Sequence, residues 1–482
     1  MKNTAQKTTA ALLCLLLIFS AISCGNSADE PAGNESDTQD IITTAEETTQ
    51  PELTDGLPNT DFGGYEFRIA SCNFYNKELA TYLAYDELTG NPVNDELYNS
   101  KLYIENRFNV NISWIACGDV NAVMNAVKNS VSAGDDAFDI TIGHDVNTGT
   151  LAQNGYLYDM RKVEQFDFEQ PWWPTNTCDN LQVCGKLYVA SNYMSYCGLH
   201  WTRVLCVNKT IAENYGREIP YETVREGKWT LDSMFEFIAD TTEDLDGNGK
   251  ITAADQVGYV SGGQTNYCLQ EALDCSVYKH DSDGVPMLEI NLNRLVIMVE
   301  KLNWLYKTSE LYLSNGDFGV DVFKNDLALL AYTQIGDAYD TYRESEVIYG
   351  FLTSPKLDEN QENYINCCTD VPWAIPKTAA RMDIVGTICE ALSCYNYKNV
   401  LPAYYEVAIK NRIADSPDDA EMLQLIADTR TIGFAYFYGM SFNNIISDVV
   451  GTTKEISSYL EKGEKSARKK LEKLVTTFED ME

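Results

Sequence analysis

Hydrophobic and polar residues alternate through Tyr65-Glu-Phe-Arg-Ile69, which predicts a strand with Tyr65, Phe67 and Ile69 on one face. Val93, Leu97, Ile104 and Phe108 then fall on one side of a helix. Val110-Asn-Ile-Ser-Trp114 alternates again, Val120, Val123, Met124 and Val127 mark a second helix, and Phe138-Asp-Ile-Thr-Ile142 reads as a third strand. This β-α-β-α-β order predicts a parallel α/β sheet. Ligands of such sheets bind in loops beyond the carboxyl ends of strands, so Gly143-His144-Asp145 is a candidate site. Farther on, Leu187–Ala190, Val204–Val207, Gln256–Val260, Leu327–Tyr332 and Ile348–Leu352 read as strands. Thr230 is placed to cap a helix carrying Leu231, Met234, Phe235 and Ile238 on one face, and another helix runs from Leu295 to Tyr306. From Arg381 the pattern is mostly helical, ending in a charged helix over Lys465–Phe478. There is no internal repeat.

The chain opens differently. Lys2 and Lys7 precede an apolar run from Ala10 to Ile22, closed by small residues: a secretory signal, too short for a permanent membrane helix. Ala21-Ile22-Ser23-Cys24 resembles the lipobox of bacterial lipoproteins, in which the Cys receives lipid and becomes the new N-terminus. Ala21 stands where that motif usually has Leu, and Ala21-x-Ser23 also satisfies an ordinary signal peptidase. Lipidation of Cys24 implies two acyl chains, enough for stable anchoring at the outer face of the membrane. Residues 25–60 are poor in apolar side chains, rich in Ser, Thr, Asp and Glu, and lack Lys and Arg. Such a segment is expected to be a disordered, self-repelling leash. At ~3.4 Å per residue it reaches at most about 120 Å.

About 420 residues remain, more than one simple core holds, which implies two lobes. The chain has 72 acidic and 36 basic residues, a formal charge of −36. That argues against a nucleic-acid binder and against a basic membrane-surface patch. Tyr is abundant at 30, with 7 Trp and 17 Phe; some belong to the core, and an excess of Tyr and Trp suits the gripping of flat polar ligands such as sugars. Twelve cysteines follow Cys24, from Cys72 to Cys394, none with C-x-x-C spacing. They read as small buried hydrophobes, with few or no disulfides, in a chain suited to an anaerobic host. His144, His200 and His280 are unclustered, which argues against a histidine-based zinc site.

One motif is sharp. Asp244-Leu-Asp-Gly-Asn-Gly-Lys-Ile-Thr-Ala-Ala-Asp255 has the spacing of an EF-hand loop. Asp244, Asp246, Asn248, Thr252 and Asp255 would supply side-chain oxygens and Lys250 its carbonyl, with Gly249 at the sharp turn. The expected cofactor is a structural Ca2+. Asp255 replaces the usual Glu, and the residues after it read as a strand rather than a helix.

Several phrases in sequence order resemble the extracellular solute-binding lipoproteins of Gram-positive carbohydrate-type ABC importers. They include Leu88-Thr-Gly-Asn-Pro-Val-Asn-Asp-Glu-Leu-Tyr98, Gln170-Pro-Trp-Trp173, Gly185-Lys-Leu-Tyr188, Ile219–Asp232, Pro355–Gln361, Ala374-Ile-Pro-Lys377 and Glu421–Ile426. The resemblance implies an α/β, two-lobed, periplasmic-binding-protein-like (Venus flytrap) fold with a hinge and a helical C-terminal segment. It implies residues 1–24 as signal, 25–60 as leash, 61–196 plus 371–398 as one lobe, and 197–370 plus 399–482 as the other. Crossings between lobes are expected near Asn192–His200, Asp370–Trp373 and Tyr397. The implied partners are a small solute, a sugar or oligosaccharide, and ABC permease subunits. His144 and Asp145 lie where the family presents a ligand loop; Tyr193, Trp201 and Trp373 lie near crossings, and Tyr339 follows a strand. Trp172-Trp173 reads as a structural corner and Trp229 as packing.

Two other readings compete. A secreted glycoside hydrolase needs only a carboxylate pair, which 72 acids cannot exclude; no G-x-S-x-G, H-E-x-x-H or phosphate-binding Gly loop is present. A calcium-dependent surface interaction protein is the other, since the loop resembles those of dockerins. Dockerins carry two such loops, and Asp281-Ser-Asp-Gly284 does not complete a second.

Overall fold

The computed structural model describes residues 53–262, 266–314, 319–369, 371–410 and 416–481, the side chains of 408–410 aside. Cys24, the leash to residue 52 and Asp370 of one expected crossing lie outside the described residues.

Two sheets organise the body. In the first, Tyr65–Ser71 lies between Val110–Ala116 and Ile140–Ile142, parallel to both, and Trp373–Ala374 pairs antiparallel with Ile140–Ile142. The expected alternation holds: Phe67 and Ile69 are fully buried while Glu66 is exposed. The helix Pro92–Phe108 packs on this sheet through Val93, Leu97, Ile104 and Phe108. Asn91 caps it, accepting from the Val93 and Asn94 amides at 3.0 and 3.3 Å, with Pro92 in the first turn.

The second sheet has the order 311–314, 257–262, 328–334, 203–208, 349–352. Its first three strands are parallel; Arg203–Asn208 runs antiparallel to both its neighbours. The central strands are buried on both faces, which is why their sequences are continuous apolar runs.

The chain passes between sheets three times: between Ala190 and Arg203, between Cys368 and Trp373, and along a helical rod. The rod joins the helices Met382–Tyr395 and Leu401–Lys410 through a widened π-turn, Asn396–Val400. Pro402 explains the turn, because it has no N–H for the ladder and its ring displaces the carbonyl four residues back. Asn396 ties the passage together. It accepts from Ser100 Oγ at 2.5 Å and donates to the Met194 and Leu83 carbonyls at 2.7 and 3.3 Å.

Three expectations change. Residues 53–60, placed in the leash, lie against the body: Arg107 pairs with Asp55 at 2.5 and 3.0 Å and also holds the Leu57 carbonyl and Asn59. Leu187–Ala190 is no strand; its one bridge runs from Ala190 to Trp373. The last helix begins at Ile456, well before Lys465, and extends to Asp480. No described helix is long and apolar enough to cross a membrane.

Candidate functional site

Loops from the carboxyl ends of both sets of parallel strands converge. Residues 72–78 follow Tyr65–Ser71, and 143–145 follow Ile140–Ile142. Residues 335–340 follow Ala328–Gln334, and 200–202 precede the antiparallel strand at the same end. A small hairpin, Asn73–Phe74 with Lys77–Glu78, reaches across from the first sheet. Its turn residues Tyr75 and Asn76 have φ of 47° and 62°, the geometry of a two-residue I′ turn. Asn tolerates this region; Tyr does so at a cost of about 1 kcal/mol or more. Phe74 sits 5.0 Å from the His144 ring and 5.5 Å from the Trp201 ring. Tyr75 stands 78% exposed at the tip.

Below the hairpin lies a ring cluster. Lys77 Nζ is 3.8 Å from the Tyr82 ring centroid and donates to the Tyr196 hydroxyl at 3.0 Å. Burial pushes the Lys77 pKa down, and the Asp340 carboxylate opposes this. His200 is buried, with Nδ1 3.0 Å from the Tyr404 hydroxyl and Nε2 3.3 Å from Asp340 Oδ2. Gly336 permits that packing: a Cβ there would meet His200 Nε2 at 2.5 Å. Tyr339 stacks on Tyr404, with centroids 5.2 Å apart and planes at 8°, and donates to Asn91 Oδ1 at 3.0 Å. That bond joins an element of the second sheet to the helix cap of the first.

Asp145 begins the helix Asp145–Gln153 and is completely buried. Its Oδ1 accepts from the Val146 amide at 2.7 Å and lies 2.9 Å from His144 Nδ1. Its Oδ2 has no hydrogen-bond partner among the described residues. An unpaired buried carboxylate oxygen is costly unless something donates to it. Nearby, the rings of Tyr267 and Tyr436 stack 3.9 Å apart at 6°. Burial, then the Asp145 charge, raises the Tyr436 pKa. Burial also raises Tyr267, with Cys268, Tyr436 and Asp145 adding to it and Arg203 opposing. Gly149 lets this helix touch the segment carrying Tyr436, since a Cβ would lie 2.4 Å from the Phe437 carbonyl oxygen.

His144, Asp145, Trp201 and Tyr339 therefore come together, whereas Tyr193 and Trp373 do not join them. Trp373 is 1% exposed, packed between Phe166 and Trp173, and donates its indole N–H to Asn192 at 2.9 Å. Tyr193 is covered by Tyr397 and Arg430. Both rings are packed against other side chains at the passages. Phe74, Tyr82, Tyr267, Tyr436 and Asp340 were not singled out from sequence. The one local signal was Asn76, a residue that tolerates the left-handed turn conformation.

Trp172 and Trp173 do form a corner, around an unexpected buried carboxylate. Both indole N–H groups donate to Glu390, at 2.8 and 2.9 Å. Burial pushes the Glu390 pKa up to about 7, with the two indoles holding it down.

The Asp244–Asp255 segment forms a loop away from these residues in sequence. Asp244, Asp246 and Asp255 each bring a carboxylate oxygen within 4.8 Å of the others. Asp244 accepts from the Asn248 and Gly249 amides at 3.2 and 2.7 Å, and Asn248 Oδ1 from the Lys250 amide at 2.8 Å. Asp255 Oδ2 accepts from the Thr252 amide and hydroxyl at 2.8 and 2.9 Å, and its pKa is lowered chiefly by that amide. The donor set is all oxygen, which suits a hard cation.

No family model matches the chain, and no curated protein matches it. Solved structures do. The ABC substrate-binding protein Lmo0181 from Listeria monocytogenes, in complex with cycloalternan, aligns over 85% of this chain and 99% of its own, at 14% identity and a TM-score of 0.54. UspC from M. tuberculosis aligns over 84% and 100%, at 13% identity and a TM-score of 0.55. The fold is that of a two-lobed solute-binding protein. UgpB from Mycobacterium tuberculosis, in complex with glycerophosphocholine, aligns over 86% and 98%, at 13% identity and a TM-score of 0.53. At these identities the likeness establishes the fold.

Proposed function

We propose that this two-lobed protein captures a solute, a sugar or oligosaccharide, by closing its cleft and delivers it to the permease subunits of an ABC importer without chemical turnover. The observation that carries this is the unpartnered, buried Oδ2 of Asp145, next in sequence to His144, whose ring packs on Phe74, which in turn packs on Trp201. A hydroxyl donating to that oxygen would relieve its desolvation, and contact with both lobes would favour the closed population. The lobes divide as 61–196 plus 371–398 and 197–370 plus 399–482 in this reading. Calorimetry against linear and cyclic glucans, other oligosaccharides, polyols and glycerophosphodiesters tests it. One class should bind without product release. Asp145→Asn should weaken that binding about 10- to 100-fold, the worth of a charged hydrogen bond. Release of a cleaved glycan, or no binding across the panel, refutes the reading.

Two further elements belong to the same proposal. Lipid on Cys24 holds the protein at the outer face of the cytoplasmic membrane; mass spectrometry of the mature N-terminus reads it directly, and an unmodified Cys24 removes the anchor. Asp244, Asp246, Asn248, Lys250, Thr252 and Asp255 hold a structural Ca2+, which would neutralise three clustered carboxylates.

A further inference from the structure

The hairpin Asn73–Phe74 with Lys77–Glu78 carries an aromatic ring that the fold does not use. Its base is fixed. The Asn73 amide donates to the Gly118 carbonyl at 2.7 Å, the Leu79 amide to the Cys72 carbonyl at 3.0 Å, and Lys77 Nζ to the Tyr196 hydroxyl at 3.0 Å. Ser71 Oγ donates to the Glu78 carboxylate and accepts from the Ala80 amide at 2.9 Å. The tip is a two-residue turn with positive φ at both central positions, which Asn and Gly adopt most readily. Asn76, at 62°, fits it. Tyr75, at 47°, does not, because a bulky side chain in the left-handed region crowds its own backbone. Packing returns little for this strain. At 78% exposure Tyr75 is the most exposed large apolar side chain among the described residues, and its ring meets that of Phe74, 4.3 Å away between centroids and tilted by 49°. A backbone outlier that internal packing does not account for points to a role outside the fold.

Tyr75 does not stand alone. Phe74 lies 5.5 Å from the Trp201 ring and 5.0 Å from the ring of His144, the neighbour of Asp145. Trp201, Phe74 and Tyr75 thus form a row that leads from half-buried to exposed. A row of rings offers successive flat apolar faces, which successive sugar units of one chain can cover while their hydroxyls stay in water. A polyol or a glycerophosphodiester has no sugar ring to lay there. We propose that Tyr75 is a specificity-determining contact: it stacks on a unit of an oligosaccharide beyond the unit held at Asp145, so that the protein selects oligosaccharides over single sugars and acyclic solutes. The proposal rests on the reading of solute capture at Asp145 and narrows it to chains of two or more units. Because the base of the hairpin is already fixed, little ordering entropy offsets the stack.

Calorimetry with malto-, cello-, manno- and xylo-oligosaccharides of one to four units tests this on the full chain and on its Tyr75→Asn and Tyr75→Phe variants. In a series that binds, wild-type affinity should rise with length. Tyr75→Asn should weaken the longest binder about 3- to 10-fold, the worth of an aromatic stack, and leave the shortest within about twofold. Tyr75→Phe should bind like wild type. Asn suits the turn, so Tyr75→Asn should melt no lower than wild type, which separates loss of a solute contact from loss of fold. Affinity that does not grow with length, a loss equal at every length, or a lower melting temperature for Tyr75→Asn overturns the proposal while solute capture stands. If none of these sugars binds, the proposal falls; solute capture falls with it only if polyols and glycerophosphodiesters fail to bind as well.

Discussion

Replacing Glu390 by Gln should remove a large share of the pH dependence of stability. The carboxylate is fully buried and accepts from Trp172, Trp173 and, at 3.4 Å, the Asp167 amide. Among the described residues no cation pairs with it. Its pKa rises from 4.5 to about 7 on folding, chiefly through burial. The folded state thus holds a proton that the unfolded state has released. The contribution is fully present below the unfolded pKa and is lost as pH rises through the folded one. At 1.36 kcal/mol per pKa unit, the full loss is about 3 kcal/mol, most of it falling between about pH 5 and pH 8. Gln carries no charge, so this dependence disappears. It also offers one acceptor oxygen where two indoles donate, and orphaning one N–H costs about 1–3 kcal/mol. Glu390→Gln should therefore be less stable than wild type near pH 5 and close to it near pH 8. Urea unfolding followed by Trp fluorescence across this range reads the difference. Glu271, also buried and pushed up to about 7, adds a similar slope to both proteins and cancels in the comparison. If the variant loses stability with pH as steeply as wild type, Glu390 does not hold a proton in the fold and the reasoning fails.

Gly149→Ala should lower the melting temperature and displace the helix Phe434–Phe437, because its Cβ would lie 2.4 Å from a backbone oxygen that cannot swing away; an unchanged melt would mean that the helices separate freely. Trp373→Ala should cost about 3–5 kcal/mol of stability, as for a large core residue, while Trp201→Ala should cost less and weaken solute binding instead. Urea titration and calorimetry of both variants check this, and loss of affinity without loss of stability in Trp373→Ala would return that ring to the site. Chelator should lower the melting temperature and added Ca2+ restore it, and Asp244→Asn should abolish the response; equal melts with and without chelator would count against the ion.

Periodicity by itself determined the β-α-β-α-β start, the parallel pairing of Tyr65–Ser71 with its two neighbours and the loop at His144-Asp145. These are consequences of a two-residue or a 3.6-residue repeat, which any local stretch displays. The same holds for the Thr230 cap and the Asp244–Asp255 loop, whose hydrogen bonds close within a few residues. Leu187–Ala190 shows the limit: its residues favour extension, but a strand needs a partner strand, and among the described residues its sole β-bridge is the one from Ala190 to Trp373. Tertiary structure alone decided which aromatic rings are enclosed and which are left partly exposed. Phe74, Tyr267 and Tyr436 stay partly exposed, while Trp373 and Tyr193, equally aromatic and equally close to a passage, are enclosed. It also decided that Glu390 would sit between two indoles some 218 positions away. Such meetings depend on how three passages fold two sheets against each other, and a local pattern carries no record of residues that distant.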